Sequence, residues 1–275
     1  EKKSYLLKDT QFDPLAYCLQ KGIEDSIEVH AWVTVFVIAP HNLSKLETDH
    51  LYYTHKDWIT KDRYGNNMKH NVLEGAYVDP AISKMRAYTI NILSDIAINY
   101  MIDGIQLDYI RYPDSTYGYH PESIQKFKDS DIDNFHVWKR RQISGFVNLA
   151  YIQLKNIRPD MQISAAVKAD YNDAFYRYSQ DWKTWLNEKY IDKVYLMAYT
   201  NSTEKLKLQM SNNLDVKNKQ QIVVGLRAWS DNKPYPAFKI NEKIISLRQQ
   251  GFDNIAFYSF GGMRRNQYLK YIQFD

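Results

Sequence analysis

The segment Asp103-Gly-Ile-Gln-Leu-Asp-Tyr-Ile-Arg-Tyr-Pro113 sets a carboxylate where chemistry can be done. Side chains of a strand alternate between its faces, so Ile105 and Leu107 share one face while Gln106 and Asp108 share the other. The apolar pair suits packing beneath helices, which turns Gln106 and Asp108 inward, with Asp108 at the carboxyl end of the strand. Where parallel strands close into a barrel, reactive groups collect at that end. A carboxyl group there fits either role in cleaving a sugar linkage. Glycosidic cleavage ordinarily takes two carboxyl groups, one to protonate the leaving oxygen. Asp170, ending the next predicted strand, is the second expected catalytic residue. Whichever of the pair donates the proton must hold it near neutral pH, so Asp108 or Asp170 is expected to have a raised pKa. Neighbouring strands lie about 4.8 Å apart, so the pair fits either a retaining or an inverting separation. Glu74 and Asp79 are rival acids. Asp79, before Pro80, reads better as the cap of a helix, and Asp181 reads the same way before Trp182.

The same alternation recurs on two more segments. His30, Trp32 and Thr34 oppose Val29, Ala31, Val33 and Val35, and Ser164, Ala166, Lys168 and Asp170 oppose Ile163, Ala165 and Val167. Each strand thus has one polar and one apolar face, the pattern of a lumen with a polar mouth. Tyr199, Arg227, Trp229 and Tyr258 fall at the ends of later predicted strands. Together they offer flat rings and hydrogen-bond donors, which a sugar chain requires. The expected substrate-binding set is therefore His30, Trp32, Gln106, Arg111, Lys168, Tyr199, Arg227, Trp229 and Tyr258. For Arg111 the structural alternative is a salt bridge to Asp108 or Asp114.

The elements that would position these residues alternate from end to end, as in an α/β protein with a parallel sheet. Predicted strands cover Glu28–Ile38, Asp103–Tyr109, Gln162–Lys168, Lys193–Tyr199, Gln221–Leu226 and Asn254–Ser259. Helices are expected at Pro14–Gly22, from Asp79 onward, through Phe146–Leu154 to a stop before Pro159, and near Trp182–Glu188, Glu204–Asn212 and Asn241–Gln250. Gly251 suits the residue just past the last of these. An irregular stretch from 39 to 75 reads as a functional or mobile loop. The pattern predicts a (β/α)8 barrel of the TIM type, with an open doubly wound sheet as the alternative. No Gly-rich phosphate loop follows any strand, which counts against a nucleotide-binding version of that sheet. Eight strands are needed and six are visible, so the first one or two strands are expected to be missing from this chain.

Bulk properties narrow the classes. The 275 residues suit one barrel-sized domain spanning 1–275. A net charge of +4 with interspersed signs and no basic cluster argues against nucleic acid. No apolar run approaches a membrane span and no signal peptide is visible, while the opening Glu1-Lys-Lys suggests a trimmed form. The single cysteine, Cys18, rules out an internal disulfide framework and is expected in the core beside Leu15 and Leu19. The seven histidines show no HExxH pattern, and neither a metal nor another cofactor is expected. Oligomeric state is not legible. Of the 23 tyrosines, most are expected to pack rather than to bind.

His30-Ala-Trp32, Asp79-Pro80, Asp103–Pro113, Asp181-Trp-Lys-Thr-Trp185, Met197-Ala-Tyr-Thr200 and Gly225-Leu226, in this order, resemble the glycosyl hydrolase-like family 10 group of bacterial (β/α) barrel proteins. The resemblance implies a secreted, periplasmic or outer-membrane-anchored protein, with a lipid anchor upstream of this chain. It implies an envelope polysaccharide as substrate, peptide-free peptidoglycan glycan strands foremost. It also implies two strands before His30-Ala-Trp32. A more distant similarity is to family-18 chitinases, whose Asp-x-x-Asp-x-Asp-x-Glu strand reads here as Asp103, Gln106, Asp108 and Ile110. Ile110 has no proton to give, so the substrate-assisted route of those enzymes does not carry over. A glycoside hydrolase is the leading reading. A carbohydrate-binding barrel without catalysis and a polysaccharide deacetylase are the alternatives.

Overall fold

The computed structural model describes Leu7, residues 11–229 and residues 236–272. The chain forms two compact units, Glu1–Ile163 and Ser164–Asp275. The first holds α1 (Pro14–Asp25), β1 (His30–Thr34), β2 (Val37–Ala39), α2 (Leu51–Thr54), β3 (Ala76–Tyr77), α3 (Ser83–Asn99), β4 (Gly104–Asp108), α4 (Pro121–Lys128) and α5 (Phe135–Ile157). Strand β5 (Gln162–Lys168) straddles the boundary. The second holds α6 (Tyr171–Arg177), α7 (Trp182–Asn187), β6 (Lys193–Ala198), α8 (Thr203–Ser211), β7 (Ile222–Arg227), α9 (Ala237–Arg248), β8 (Ile255–Tyr258) and α10 (Phe260–Arg265). Among the described residues no helix is long and apolar enough to cross a membrane.

In the first unit β1 and β4 run parallel, with Trp32 opposite Gln106 and Thr34 opposite Asp108. Asp103 ties the entry to both strands, its Oδ2 accepting the Val29 N–H at 2.7 Å and its carbonyl accepting the Gln162 N–H at 2.9 Å. Ile105 and Leu107 are fully buried, as the alternation predicts, each worth roughly 1.5–3 kcal/mol of apolar transfer. Helix α3 packs on α5, with the Arg86 guanidinium 5.8 Å from the Phe146 ring centre, and Met85, Leu93, Phe146 and Val147 are buried. In the second unit β6, β7 and β8 extend β5 in parallel register. Ala165, Val167, Val194, Leu196, Val224 and Leu226 are buried there, beside Trp182 and Trp185 of α7.

Several expectations change. The strand expected over Glu28–Ile38 is divided into β1 and β2, which lie in different sheets. The helix expected to start at Asp79-Pro80 starts at Ser83, with Ile82 before it. Asp79 is fully buried, and its carboxylate accepts from Thr60 Oγ1 (3.0 Å), the Ala81 N–H (3.1 Å) and Ser123 Oγ (2.8 Å). It knots three separated segments together rather than capping a helix. Residues 39–75, expected as an irregular functional or mobile loop, carry short helical elements and buried anchors. Strands β2 and β3 pair antiparallel across them, Trp58, Ile59 and Met68 are buried, and the Asp79 N–H donates to the Trp58 carbonyl. Buried anchors spaced without a period left no helical or strand signature there. Cys18 is exposed on α1, because its apolar neighbours Leu15 and Leu19 are only half-covered.

Candidate functional site

Asp108 closes β4, and its surroundings are built by residues close in register. Trp32 projects from the same face of β1, and its indole Nε1–H donates to Asp108 Oδ2 at 2.9 Å. The Tyr109 N–H donates to Oδ1 at 2.6 Å. That second bond needs the chain to turn at once, and Tyr109 takes a left-handed backbone with φ +53°. A bulky residue pays about 1–3 kcal/mol for this conformation, so its neighbours must hold it there. Two N–H donors, one on each oxygen, suit an ionised carboxylate. The indole leaves most of its ring to solvent, with Trp32 56% exposed, while Asp108 is 9% exposed. One side chain thus aims the carboxylate and offers an open flat face beside it.

Beneath Tyr109 lies an ionic contact the sequence did not indicate. Arg111 NH2 donates to Glu74 Oε1 at 2.8 Å, and the Tyr77 hydroxyl donates to Glu74 Oε2 at 3.3 Å. The guanidinium carbon sits 5.3 Å from the Tyr109 ring centre and 5.6 Å from that of Tyr77. The two rings meet edge to face at 6.1 Å. Burial pushes the Tyr77 phenol above its ordinary range despite the opposing pull of Arg111, so it stays a hydrogen-bond donor. Arg111 thus has an ion-pair partner, Glu74, other than the Asp108, Asp114 or substrate carboxylate expected for it. With Arg111 only 2% exposed, a substrate carboxylate would have to displace Glu74 to reach it.

The other expected residues of the first unit separate by height along the strand. Gln106 lies one inward position below Asp108, opposite Trp32. His30 sits at the far end of β1, opposite Gly104, about 13 Å down the strand from the Asp108 level. Its ring packs so closely on Gly104 that a Cβ there would stand 2.4 Å from Nδ1. His30 also approaches Glu28 at 3.4 Å. The structure gives it a packing role at the strand entry.

The second unit gathers an aromatic cluster at the ends of three strands. Tyr199 stacks on Tyr258 at 5.5 Å and meets Trp229 edge-on at 5.3 Å, and Trp229 and Tyr258 lie 5.9 Å apart. Glycine at 225 makes room for this, since a Cβ would come within 3.3 Å of the Tyr199 ring. Arg227 lies over Trp229 at 4.6 Å, its Nε donating to the Trp229 carbonyl at 3.0 Å. Tyr258 is 46% exposed, so the cluster has a solvent-facing side. Lys243 donates to the Thr200 carbonyl, and burial, then Arg227 and Lys239, hold it down to about 8. Lys168 lies over the Tyr178 ring at 4.7 Å. Asp170 caps α6, its Oδ1 accepting the Asp173 N–H at 3.1 Å. Asp181 caps α7 as expected, accepting from the Thr184 N–H.

Tyr77 and Tyr109 are residues of this region that the sequence leaves without a role, and it marks Glu74 only as a rival acid, not as the partner of Arg111. Only the acid type of Glu74, close before Asp79-Pro80, singled it out.

Comparison with known proteins agrees with this architecture. The profile of the family described as Glycosyl hydrolase-like 10 matches residues 1–244. Glycosyl hydrolase YngK of Bacillus subtilis (strain 168) is 26% identical over 157 residues, covering 55% of this chain and 29% of its own length. Glycosyl hydrolase DigH of Escherichia coli (strain K12) is 21% identical over 170 residues, covering 56% and 36%. The matched segment thus spans about a third of these relatives. Among solved structures, the PgaB (BpsB) glycoside hydrolase domain from Bordetella bronchiseptica superposes with a TM-score of 0.71 at 16% identity, over 94% of this chain and 78% of that one. A class V chitinase from Pseudomonas fluorescens Pf-5 gives 0.57 at 10% identity, over 92% and 82%. These likenesses show the fold, that of the (β/α)8 barrel glycoside hydrolases, to which the described residues contribute six parallel strands.

Proposed function

The chain belongs to the Glycosyl hydrolase-like 10 family, and we propose that it is the catalytic part of a glycoside hydrolase acting on a bacterial envelope polysaccharide, peptide-free peptidoglycan glycan strands first. One observation carries the reading: Asp108 stands at the carboxyl end of β4 with one N–H donor on each oxygen, beside the open face of Trp32. Two N–H donors favour the charged form of the carboxyl group, which is fitted to attack the anomeric carbon or to stabilise positive charge growing there. It is not fitted to give up a proton. The donor to the leaving oxygen is by this reading a different group, and Asp170 is the assignment made from strand order. The ring cluster of Tyr199, Trp229 and Tyr258, with Arg227 at its edge, supplies a platform for sugar rings. Trp32, Gln106 and Lys168 are proposed as further binding residues. An envelope substrate goes with a location outside the cytoplasm.

The test is digestion of peptide-free glycan strands, with mass analysis of the released fragments in isotopically labelled water. The wild type is expected to release fragments carrying one solvent oxygen. Asp108→Asn, nearly isosteric, should lower the rate by about 10²–10⁴-fold with the fold unchanged by circular dichroism. Full activity in that variant removes Asp108 from the mechanism. Binding of the strands with no fragments from the wild type would favour the non-catalytic carbohydrate-binding alternative, for which the ring cluster is the supporting observation.

A further inference from the structure

Resting on the reading of Asp108 given above, we infer that Glu74 is a positioning residue of the site, acting on Asp108 through Arg111 and Tyr109. The chain of contacts is continuous. Glu74 takes the Arg111 guanidinium on one oxygen and the Tyr77 hydroxyl on the other. Arg111, so anchored, packs against the rings of Tyr77 and Tyr109, which meet edge to face. The backbone of Tyr109 is left-handed, and its N–H donates to Asp108 Oδ1. The Arg111 N–H closes the turn on the Tyr109 carbonyl at 2.9 Å.

The logic lies in the cost of that turn. A tyrosine relaxes out of the left-handed region unless its ring is fixed, and relaxation withdraws the N–H from Asp108. Fixing the ring is what the cation and the second tyrosine do, and a buried guanidinium stays in place only while a carboxylate answers it. Glu74 is that carboxylate, and it comes from the end of the 39–75 stretch, 37 residues before its partner. An oriented carboxylate is worth much of the rate to a glycosidase, because a displacement near 1 Å costs on the order of 100-fold. On this account the packed 39–75 segment serves the site by delivering one acid to its underside.

The experiment reads the aim of Asp108 directly. The Trp32 indole N–H donates to Asp108, and its ¹H–¹⁵N resonance, assigned with Trp32→Phe, reports that bond whether or not a substrate is known. In Glu74→Gln the resonance should shift and exchange with solvent about 10-fold faster or more. Glu74→Asp, which keeps the charge, should restore it in part. The control is Glu24→Gln on α1, whose acid meets Lys21 on an exposed face and should change nothing. Tested on peptide-free glycan strands, Glu74→Gln should lower kcat about 10- to 100-fold with KM within about twofold. An unmoved indole resonance in Glu74→Gln, in a chain that remains folded, overturns the inference. So does a rise in KM with kcat unchanged, the signature of a direct substrate contact. If the resonance moves but Asp108→Asn cleaves as fast as wild type, the positioning stands and the enzymatic reading of Asp108 fails.

Discussion

Asp108 and Trp32 lie 76 residues apart, yet they make the bond on which the site turns. A hydrogen bond to a charged acceptor contributes about 1.5–3 kcal/mol, and here it also selects one rotamer of the carboxylate. Trp32→Phe keeps a flat, though smaller, apolar face for a sugar and removes the N–H. The expected outcome is a kcat lower by about 10- to 100-fold with little change in KM, measured on peptide-free glycan strands. A rise in KM with kcat intact would instead place Trp32 in binding alone. Arg111 carries the opposite lesson. Its type and place beside Asp108 suggest a substrate ligand, and its burial against Glu74 gives it work within the chain.

At the scale of elements, the alternation that defines β4 also sets which side chains it hides. Ile105 and Leu107 are fully buried, and Asp108 is left at the carboxyl end of the strand. Asp79 shows where local rules stop. Asp before Pro is a strong helix-start signal, yet the carboxylate turns inward to Thr60, Ala81 and Ser123 and the helix begins later. Loss of a helix cap costs about 1 kcal/mol. Loss of this acid leaves three buried donors unanswered, so Asp79→Ala should destabilise by about 3 kcal/mol or more in urea unfolding. A loss near 1 kcal/mol would return Asp79 to the capping role. The knot joins Thr60, within the packed 39–75 segment, to Ser123 of α4.

For the chain as a whole, stability should depend on pH above neutrality. Lys139 is 1% exposed, reaches the Tyr117 carbonyl at 3.0 Å, and lies over the Tyr112 ring at 5.1 Å. Burial brings it down to about 8, with Asp79 and Asp114 opposing. Its unfolded value is about 10.4. Below pH 8 both states hold the proton and the folded chain bears the whole cost of a buried ammonium. Between about 8 and 10.4 only the folded state releases it, so stability rises with pH. Relative to Lys139→Met, the wild type should gain on the order of 2–3 kcal/mol from pH 7 to pH 10 in urea unfolding. A constant difference over that range would show that the ammonium is not held at a cost. Tyr112, raised by burial, acts with the opposite sign above about pH 10, where the unfolded chain alone loses its phenolic proton.

Periods of two and of three to four residues are written locally, because side-chain direction follows from the backbone of a few neighbours. The amino-acid sequence alone therefore determined β4 to within a residue at each end, β5 over its full span, the inward face carrying Gln106 and Asp108, and the course of α5 toward Pro159. Together with the family resemblance it also pointed to the barrel class, against the open sheet that the strand pattern left possible. The pairing of Glu74 with Arg111, the knot around Asp79, the outward turn of Cys18 and the descent of His30 to the strand entry were settled only by tertiary structure. Each depends on which distant segment arrives at a given spot, and that is fixed by the burial of residues such as Trp58, Ile59 and Met68, which follow no local period.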